Sequence, residues 1–368
     1  MKKYKLKQDS IAIDQEIWIG IDAHKKTLHF SVINEDDEIL WQKSIPHGRS
    51  HVQAVIDRLP GCSVVAVYES GPTGYSLRHW LEEMGCTAFI TPVSKVPENK
   101  GGKQIKTDKR DSLQLARLAR AGLLDEVHDL GKERYCQREL TRTREQLMQQ
   151  RSKICSQIKS KLVFHSIETP KGMKSNWSKK YLAWLANNPS GNPSLDVALN
   201  VMVGMYRALT TQIKRLDKEI KELAETDEFE EEVELLTTVP QVGVLTAMIF
   251  LLELGDISRF DRCEEFSSFL GLVPGEWSTG EKRRQTSRVR WGNKRARTAL
   301  VETSWWLIGK DPRMRKTYDR IKYRSGHSGT AIVAVARRLG LAMRAMLREG
   351  KAYDYPGAQQ EKTEEAES

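Results

Sequence analysis

The sequence predicts an α/β domain followed by a helical remainder. Three observations carry this expectation. Short apolar runs alternate with helix-like segments over the first 130 residues, leucine and isoleucine then recur at heptad spacing, and the later apolar segments have the length of helices. A chain of 368 residues has room for two or three domains. Boundaries are expected at 12–130, 131–234 and 235–352, with 353–368 a polar, acidic tail expected to be disordered.

The elements follow in order. Ile17 to Asp22 is a short apolar run, and Leu28–Asn34 and Ile39–Ile45 follow it with turn-like residues between them, which predicts an antiparallel meander. A helix is expected at His51–Leu59 and an apolar strand at Ser63–Tyr68, ending at Glu69. Ser70 to Gly74 breaks the chain before a helix at Tyr75–Met84. Thr87–Thr91 reads as a fifth strand, 94–107 as a glycine- and lysine-rich loop, and Asp108–Ala121 as a helix. The order βββαβαβα is that of a ribonuclease-H-like fold.

The period then changes. Leu140, Leu147 and Ile154 are spaced by sevens, with Ile158 and Leu162 continuing the stripe. Leu195, Leu199, Met202, Tyr206, Leu209, Ile213, Leu216, Ile220 and Leu223 step by fours and threes, the pattern of a coiled-coil seam. Residues 166–194 can join the two helices into a hairpin, and the same seam can serve a dimer. The acidic run Asp227–Glu234 closes this arm. Thr238 to Gly243 leads into an apolar helix at Leu245–Leu254, a turn of the kind used by helix–hairpin–helix modules. Trp305 and Trp306 lie in a later apolar helix and are expected in its core.

Composition narrows the function. Hydrophobic residues at 39% and charged ones at 29% describe a soluble globular chain. No apolar run is long enough for a transmembrane helix, and Met1–Ile11 lacks the apolar stretch of a signal peptide. The five cysteines are scattered without a Cys-x-x-Cys pair, which argues against zinc and disulfides and fits a reducing cytosol. Charge is segregated: residues 1–130 carry 18 Lys/Arg and 18 Asp/Glu, whereas 281–348 carry 19 and 4. An excess of that size points to a polyanionic partner.

Asp22 and Glu69 end apolar strands, and Asp108 and Asp111 are i and i+3 on one helix face. Four carboxylates at such points suit two Mg²⁺ or Mn²⁺ ions, and paired cations can drive in-line phosphoryl transfer. Each also has an ordinary role open to it, Asp108 as a helix N-cap and Asp111 as an ion-pair partner. His24 can be a ligand or a proton carrier and is read as a loop histidine. Lys106, Lys109 and Arg110 flank the third carboxylate and can meet backbone phosphates, or serve as solvated charges.

The segments IGID, ESGPTGY and KTDKRD resemble the amino-terminal RuvC-like domain of DEDD insertion-sequence transposases, the recombinases associated with bridge RNA. The resemblance continues through VPQVGVLTA, GLVPGEWSTGEKRR, the WGN element and AIVAVARRLGLAMRAM, and so spans nearly the whole chain. It implies that Asp22, Glu69, Asp108 and Asp111 are a metal-binding tetrad. It also implies a hydroxyl in the carboxy-terminal domain that attacks a DNA phosphate to form a covalent intermediate. The family pattern places serine directly before the glycine of this segment, and here Thr279 stands there with Ser278 one residue earlier, so both remain candidates. Around them Lys282, Arg283, Arg284, Arg288, Arg290, Lys294, Arg295 and Arg297 can position a scissile phosphate, and Trp277 and Trp291 can stack on bases.

The expected function is therefore metal-dependent DNA strand cleavage and exchange by an insertion-sequence transposase. Two chemical centres on one chain suggest a composite site, whose halves the long helical arm lets come from different protomers of a dimer or tetramer in the prokaryotic cytosol or nucleoid. The partners expected are DNA at the element ends and target, recognised by protein contacts or, as the resemblance alone implies, by pairing to a guide RNA. A RuvC-like junction nuclease would use the tetrad alone, and a non-catalytic nucleic-acid-binding protein would use neither centre. A sugar kinase of actin-like fold needs a glycine soon after the aspartate and a second domain copy, and the chain has neither.

Overall fold

The computed structural model describes residues 15–71, 73–93, 96, 107–174, 176–187, 189–273, 275–279, 282–286 and 292–354, with backbone alone at 275–279 and 282–286. The chain forms two compact units, Met1–Asp129 and Leu130–Ser368.

The first unit is a five-stranded mixed sheet with helices. Its elements are β1 (Glu16–Ala23), β2 (Thr27–Ile33), β3 (Ile39–Pro46), α1 (Arg49–Ile56), β4 (Ser63–Glu69), α2 (Ser76–Glu83), β5 (Thr87–Thr91) and α3 (Asp108–Arg120). The strand order is β3-β2-β1-β4-β5. β1, β2 and β3 pair antiparallel, whereas β1–β4 and β4–β5 are parallel. This arrangement is compatible with a ribonuclease-H-like domain. Ile17, Ile19 and Ile21 alternate along β1 and are fully buried, as period-two patterning on a central strand requires. The helix expected at 51–59 begins earlier and ends at Ile56; Asp57 and Arg58 form a turn, and Leu59, which directly precedes Pro60 and is therefore disfavoured in helical geometry, stands outside it. Most of the loop expected at 94–107 lies outside the described residues.

The second unit is built on helices. α4 (Lys132–Phe164) and α6 (Pro193–Ala224) are the long ones. Arg144 Nε lies 2.5 Å from Asp217 Oδ1, and Ile154, Ile158 and Leu162 share a core with Leu199, Val203 and Tyr206, so the two helices run antiparallel as an intrachain hairpin. Of the heptad positions on α6, Leu199, Tyr206, Ile213 and Ile220 are buried, whereas Leu195, Met202 and Leu209 are half-buried, because one partner covers only one stripe.

The joining segment folds as well. Ser178 caps α5 (Lys179–Ala186) by accepting from Tyr181 N, and Trp177 stacks on Tyr206. The acidic run at 227–234 does not merely end the arm. Glu230, Glu231 and Glu232 form the first turn of a further helix, α7 (Glu230–Thr237), where carboxylates favour the positive end of the helix dipole.

Beyond a turn in which Gln241 has φ 71°, α8 (Val244–Leu254) is half-buried at 244–246 and at Ile249 and buried at its other positions. α9 (Cys263–Phe269) follows, then two short antiparallel strands, β6 (Gly275–Thr279) and β7 (Lys282–Thr286), where an otherwise helical region was expected. α10 (Lys294–Leu307), α11 (Pro312–Ser325) and α12 (Ser328–Glu349) complete the unit.

The tail does not begin at 353 as expected. Tyr353 donates its hydroxyl to buried Asp311 at 2.7 Å and its backbone N–H to Thr238. Residues 355–368 lie outside the described residues. Trp305 and Trp306 are also not core: they are 45% and 71% exposed. α10 buries Leu300, Thr303, Ser304 and Leu307; its 3.6-residue period turns most of Trp306 away from that stripe, while Trp305 lies beside it with one edge against Tyr318.

Candidate active site

Gly20 is the residue that lets the site form. A Cβ there would sit 1.9 Å from the Ser112 carbonyl oxygen and 2.5 Å from Ala116 N, so α3 crosses β1 at backbone contact. Hydrogen bonds hold the start of α3 in place. Ser31 Oγ and Ser112 Oγ are 2.7 Å apart in the interior, and Gln42 Nε2 donates to Ser31 Oγ and to the Lys109 carbonyl. Asp108 and Asp111 therefore occupy a first helical turn fixed against the sheet, where the helix dipole favours carboxylates. The N-cap is Thr107, so Asp108 does not fill the capping role that the sequence left open.

Asp22 and Glu69 reach the same place from below. In the parallel pair β1–β4 the last register match is Ile21 with Tyr68, and the next residue on each strand is Asp22 or Glu69. Asp22, Glu69, Asp108 and Asp111 line one cavity of about 440 Å³, together with His24, Ser70 and Gly71.

His24 Nε2 is 3.2 Å from Asp22 Oδ2 and 3.6 Å from Asp108 Oδ1. One ligand atom each from Asp22, His24 and Asp108 lies within 4.8 Å of the others, a spacing that suits coordination of one ion. Carboxylates with one imidazole fit Mg²⁺ or Mn²⁺, the nitrogen being better suited to the latter. His24 comes to the carboxylates because the chain turns sharply there, its N–H donating to the Thr27 carbonyl at 2.9 Å. Its position two residues after Asp22 was the only sequence signal for this. His29, opposite Asp22 on β2, bonds Ser44 Oγ through Nδ1, and burial lowers its pKa against the opposing pull of Asp108 and Asp22.

Lys109 and Arg110 are exposed on the first turn of α3 beside the cavity, and Lys106 lies outside the described residues. In the second unit the backbone places Ser278 opposite Arg283 and Thr279 opposite Lys282 across the β6–β7 pair. The side chains of Trp277, Ser278, Thr279, Lys282, Arg283 and Arg284, and all of Arg288, Arg290 and Trp291, lie outside the described residues. Lys294 is exposed at the start of α10. Arg295 pairs with Glu145 of α4 at 2.6 Å, and Arg297 approaches the Gly271 carbonyl, so both are engaged within the unit.

Comparison with known proteins adds to this geometry. Residues 19–167 match the family model of DEDD transposases of IS110 elements, described as Transposase. Residues 233–319 match that of the Transposase IS116/IS110/IS902 family. The chain is 28% identical to the protein y4qE of Sinorhizobium fredii, over 93% of this chain and 91% of that one. It is 27% identical to the transposase for insertion sequence element IS1533 of Leptospira borgpetersenii, over 79% of this chain and 85% of the other. The transposase for insertion sequence element IS1111A of Coxiella burnetii is 24% identical, over 79% and 77%.

Proposed function

Because the chain belongs to the DEDD transposases of the IS116/IS110/IS902 family, we propose that it cleaves and rejoins insertion-sequence DNA at its carboxylate cavity, with a protein hydroxyl as the attacking group. The observation that carries the reading is the convergence of Asp22, Glu69, Asp108 and Asp111 on one cavity, with His24 against two of them. Bound divalent cations would supply Lewis-acid stabilisation of charge on the phosphate. The four carboxylates would hold those cations, Asp22 and Glu69 from rigid strand ends and Asp108 and Asp111 from a pinned helical turn. Exposed Lys109 and Arg110 meet flanking phosphates of the strand.

In the chemical step the hydroxyl oxygen of Ser278 or Thr279 forms a bond to phosphorus. One bridging P–O bond breaks, the hydroxyl gives up its proton, and the departing sugar oxygen takes one. The basic stretch 281–348 is the surface for element-end and target DNA, and in this reading for a guide RNA as well. The α4–α6 hairpin is a coiled-coil-like arm suited to assembly of a homo-oligomer, and the α7–α8 turn is a phosphate-facing hairpin.

The test is to incubate the protein with Mg²⁺ or Mn²⁺, element-end DNA, and RNA transcribed from the element's flanks. A covalent protein–DNA adduct should form, map to Ser278 or Thr279, and disappear in Asp22→Asn and in the Ser278→Ala/Thr279→Ala double variant. Cleavage that persists without any adduct in the double variant would instead assign the chain a tetrad-only nuclease chemistry. Adduct formation equal with and without RNA would remove the guide from the reading.

A further inference from the structure

Glu253 is the one charged residue of α8, and it is 2% exposed within an otherwise apolar core helix apart from Thr246. Arg142 of α4 meets it in a fork, Nε to Oε1 at 2.8 Å and Nη2 to Oε2 at 2.9 Å. Its third bond comes from Asn293, whose Nδ2 donates to Oε2 at 2.8 Å. A leucine at 253 would pack in this helix without any desolvation cost, so a buried ion pair here points to orientation rather than to stability alone.

Asn293 is held from three sides. Its Oδ1 accepts from Arg295 N and Ala296 N and so caps α10, and its backbone N–H donates to the Phe269 carbonyl at 2.6 Å. The preceding Gly292 has φ 109°, and a Cβ there would sit 2.5 Å from Gly271 N and 2.9 Å from the Phe269 oxygen. The chain therefore returns at 292–293 onto the backbone it left at 269–271. Between those points lies the β6–β7 pair, with Ser278 and Thr279 on its first strand.

We propose that Asn293, oriented by the Glu253–Arg142 pair, is a positioning residue that clasps the two ends of the β6–β7 excursion and fixes the hydroxyl strand. This rests on the reading of that strand as the nucleophile's carrier. The amide serves because it faces two ways at once, its NH₂ toward Glu253 and its oxygen toward the first N–H groups of α10. Asn293→Asp keeps the helix cap, since aspartate caps as well as asparagine, but sets one carboxylate against another. Adding Glu253→Gln restores a donor at 253 for the new carboxylate and returns the cluster to its original charge.

The experiment is hydrogen–deuterium exchange on the full chain without DNA, read at the amides of 275–286, followed by the rate of adduct formation. Asn293→Asp should speed exchange of those amides and slow adduct formation, each about tenfold, the worth of one charge-assisted hydrogen bond, while DNA affinity stays unchanged. The double variant Asn293→Asp/Glu253→Gln should recover both. Asn293→Ser retains a cap oxygen and adds no charge, but its single short hydroxyl replaces the amide that donates to Glu253 and caps the helix at the same time. It should reproduce the effect of Asn293→Asp and covers the case in which that variant fails to fold. Exchange at 275–286 equal to wild type in a folded Asn293→Asp or Asn293→Ser, or no recovery in the double variant, overturns the clasp. The exchange readout needs no chemistry, so it can succeed even if Ser278→Ala/Thr279→Ala leaves the adduct intact, an outcome that would sink the nucleophile reading alone.

Discussion

At the scale of single residues the site depends on a hydrogen atom at Gly20 as much as on any carboxylate. With the Ser112 carbonyl and Ala116 N where a Cβ would stand, Gly20→Ala must lift α3 from β1. The expected cost is about 1–3 kcal/mol or more, as for other overpacked interiors. Because α3 carries Asp108 and Asp111, the variant should, if the proposed function holds, lose DNA cleavage even at temperatures where it remains folded. Thermal melting and a cleavage assay on one preparation check this, and full activity with a wild-type melting temperature would show that the contact yields easily. The four carboxylates were legible in the sequence because they sit at strand ends and a helix start, places that local patterning marks. His24 was not, because its role comes from a turn that bends it back to Asp22 and Asp108 at 3.2 and 3.6 Å.

At the scale of elements, periodicity located the helices but not always their buried faces. α6 presents the heptad stripe, yet α4 covers only part of it, and Trp305 and Trp306 are 45% and 71% exposed although they sit beside Leu307 at the apolar end of their helix. A stripe states that a face can be buried, whereas the partner decides which residues are. Ile158 on α4 is fully buried in the cluster with Tyr181, Leu185 and Leu199. Ile158→Ala should therefore cost about 2–5 kcal/mol, measurable by denaturant unfolding. A loss below roughly 1 kcal/mol, the scale of a single methylene, would mean that the hairpin is not packed as described. The segment between the long helices shows the converse. Its Pro, Asn and Ser content reads as loop, but Ser178 and Asn192 are the caps that start α5 and α6.

At the scale of the whole molecule, two buried carboxylates tie distant parts of the second unit together and give its stability a pH dependence. Burial pushes the Glu253 carboxyl up, but hydrogen bonds from Arg142 and Asn293 outweigh it and leave the group below its ordinary 4.5. Burial likewise raises Asp311, and hydrogen bonds from Tyr353 and Arg313 bring it below 3.8. Groups held below their unfolded values contribute stability that is complete above those values and is lost as the pH falls through the folded ones. The melting temperature should therefore be steady from neutral pH to about 5 and fall below 4.5, less steeply in Glu253→Gln. An equal slope in that variant would show that Glu253 carries none of the dependence.

The sequence by itself determined the element order of the first unit, the four carboxylates and the basic excess at 281–348, because strand alternation, helix period and charge are local properties of the chain. Only the tertiary structure decided that α3 presses on Gly20, that His24 joins the carboxylates, and that Glu253 reaches Asn293 from forty residues away. Those contacts join residues far apart in sequence or through a folded-back turn, and which groups meet there is fixed by packing geometry that no local pattern encodes.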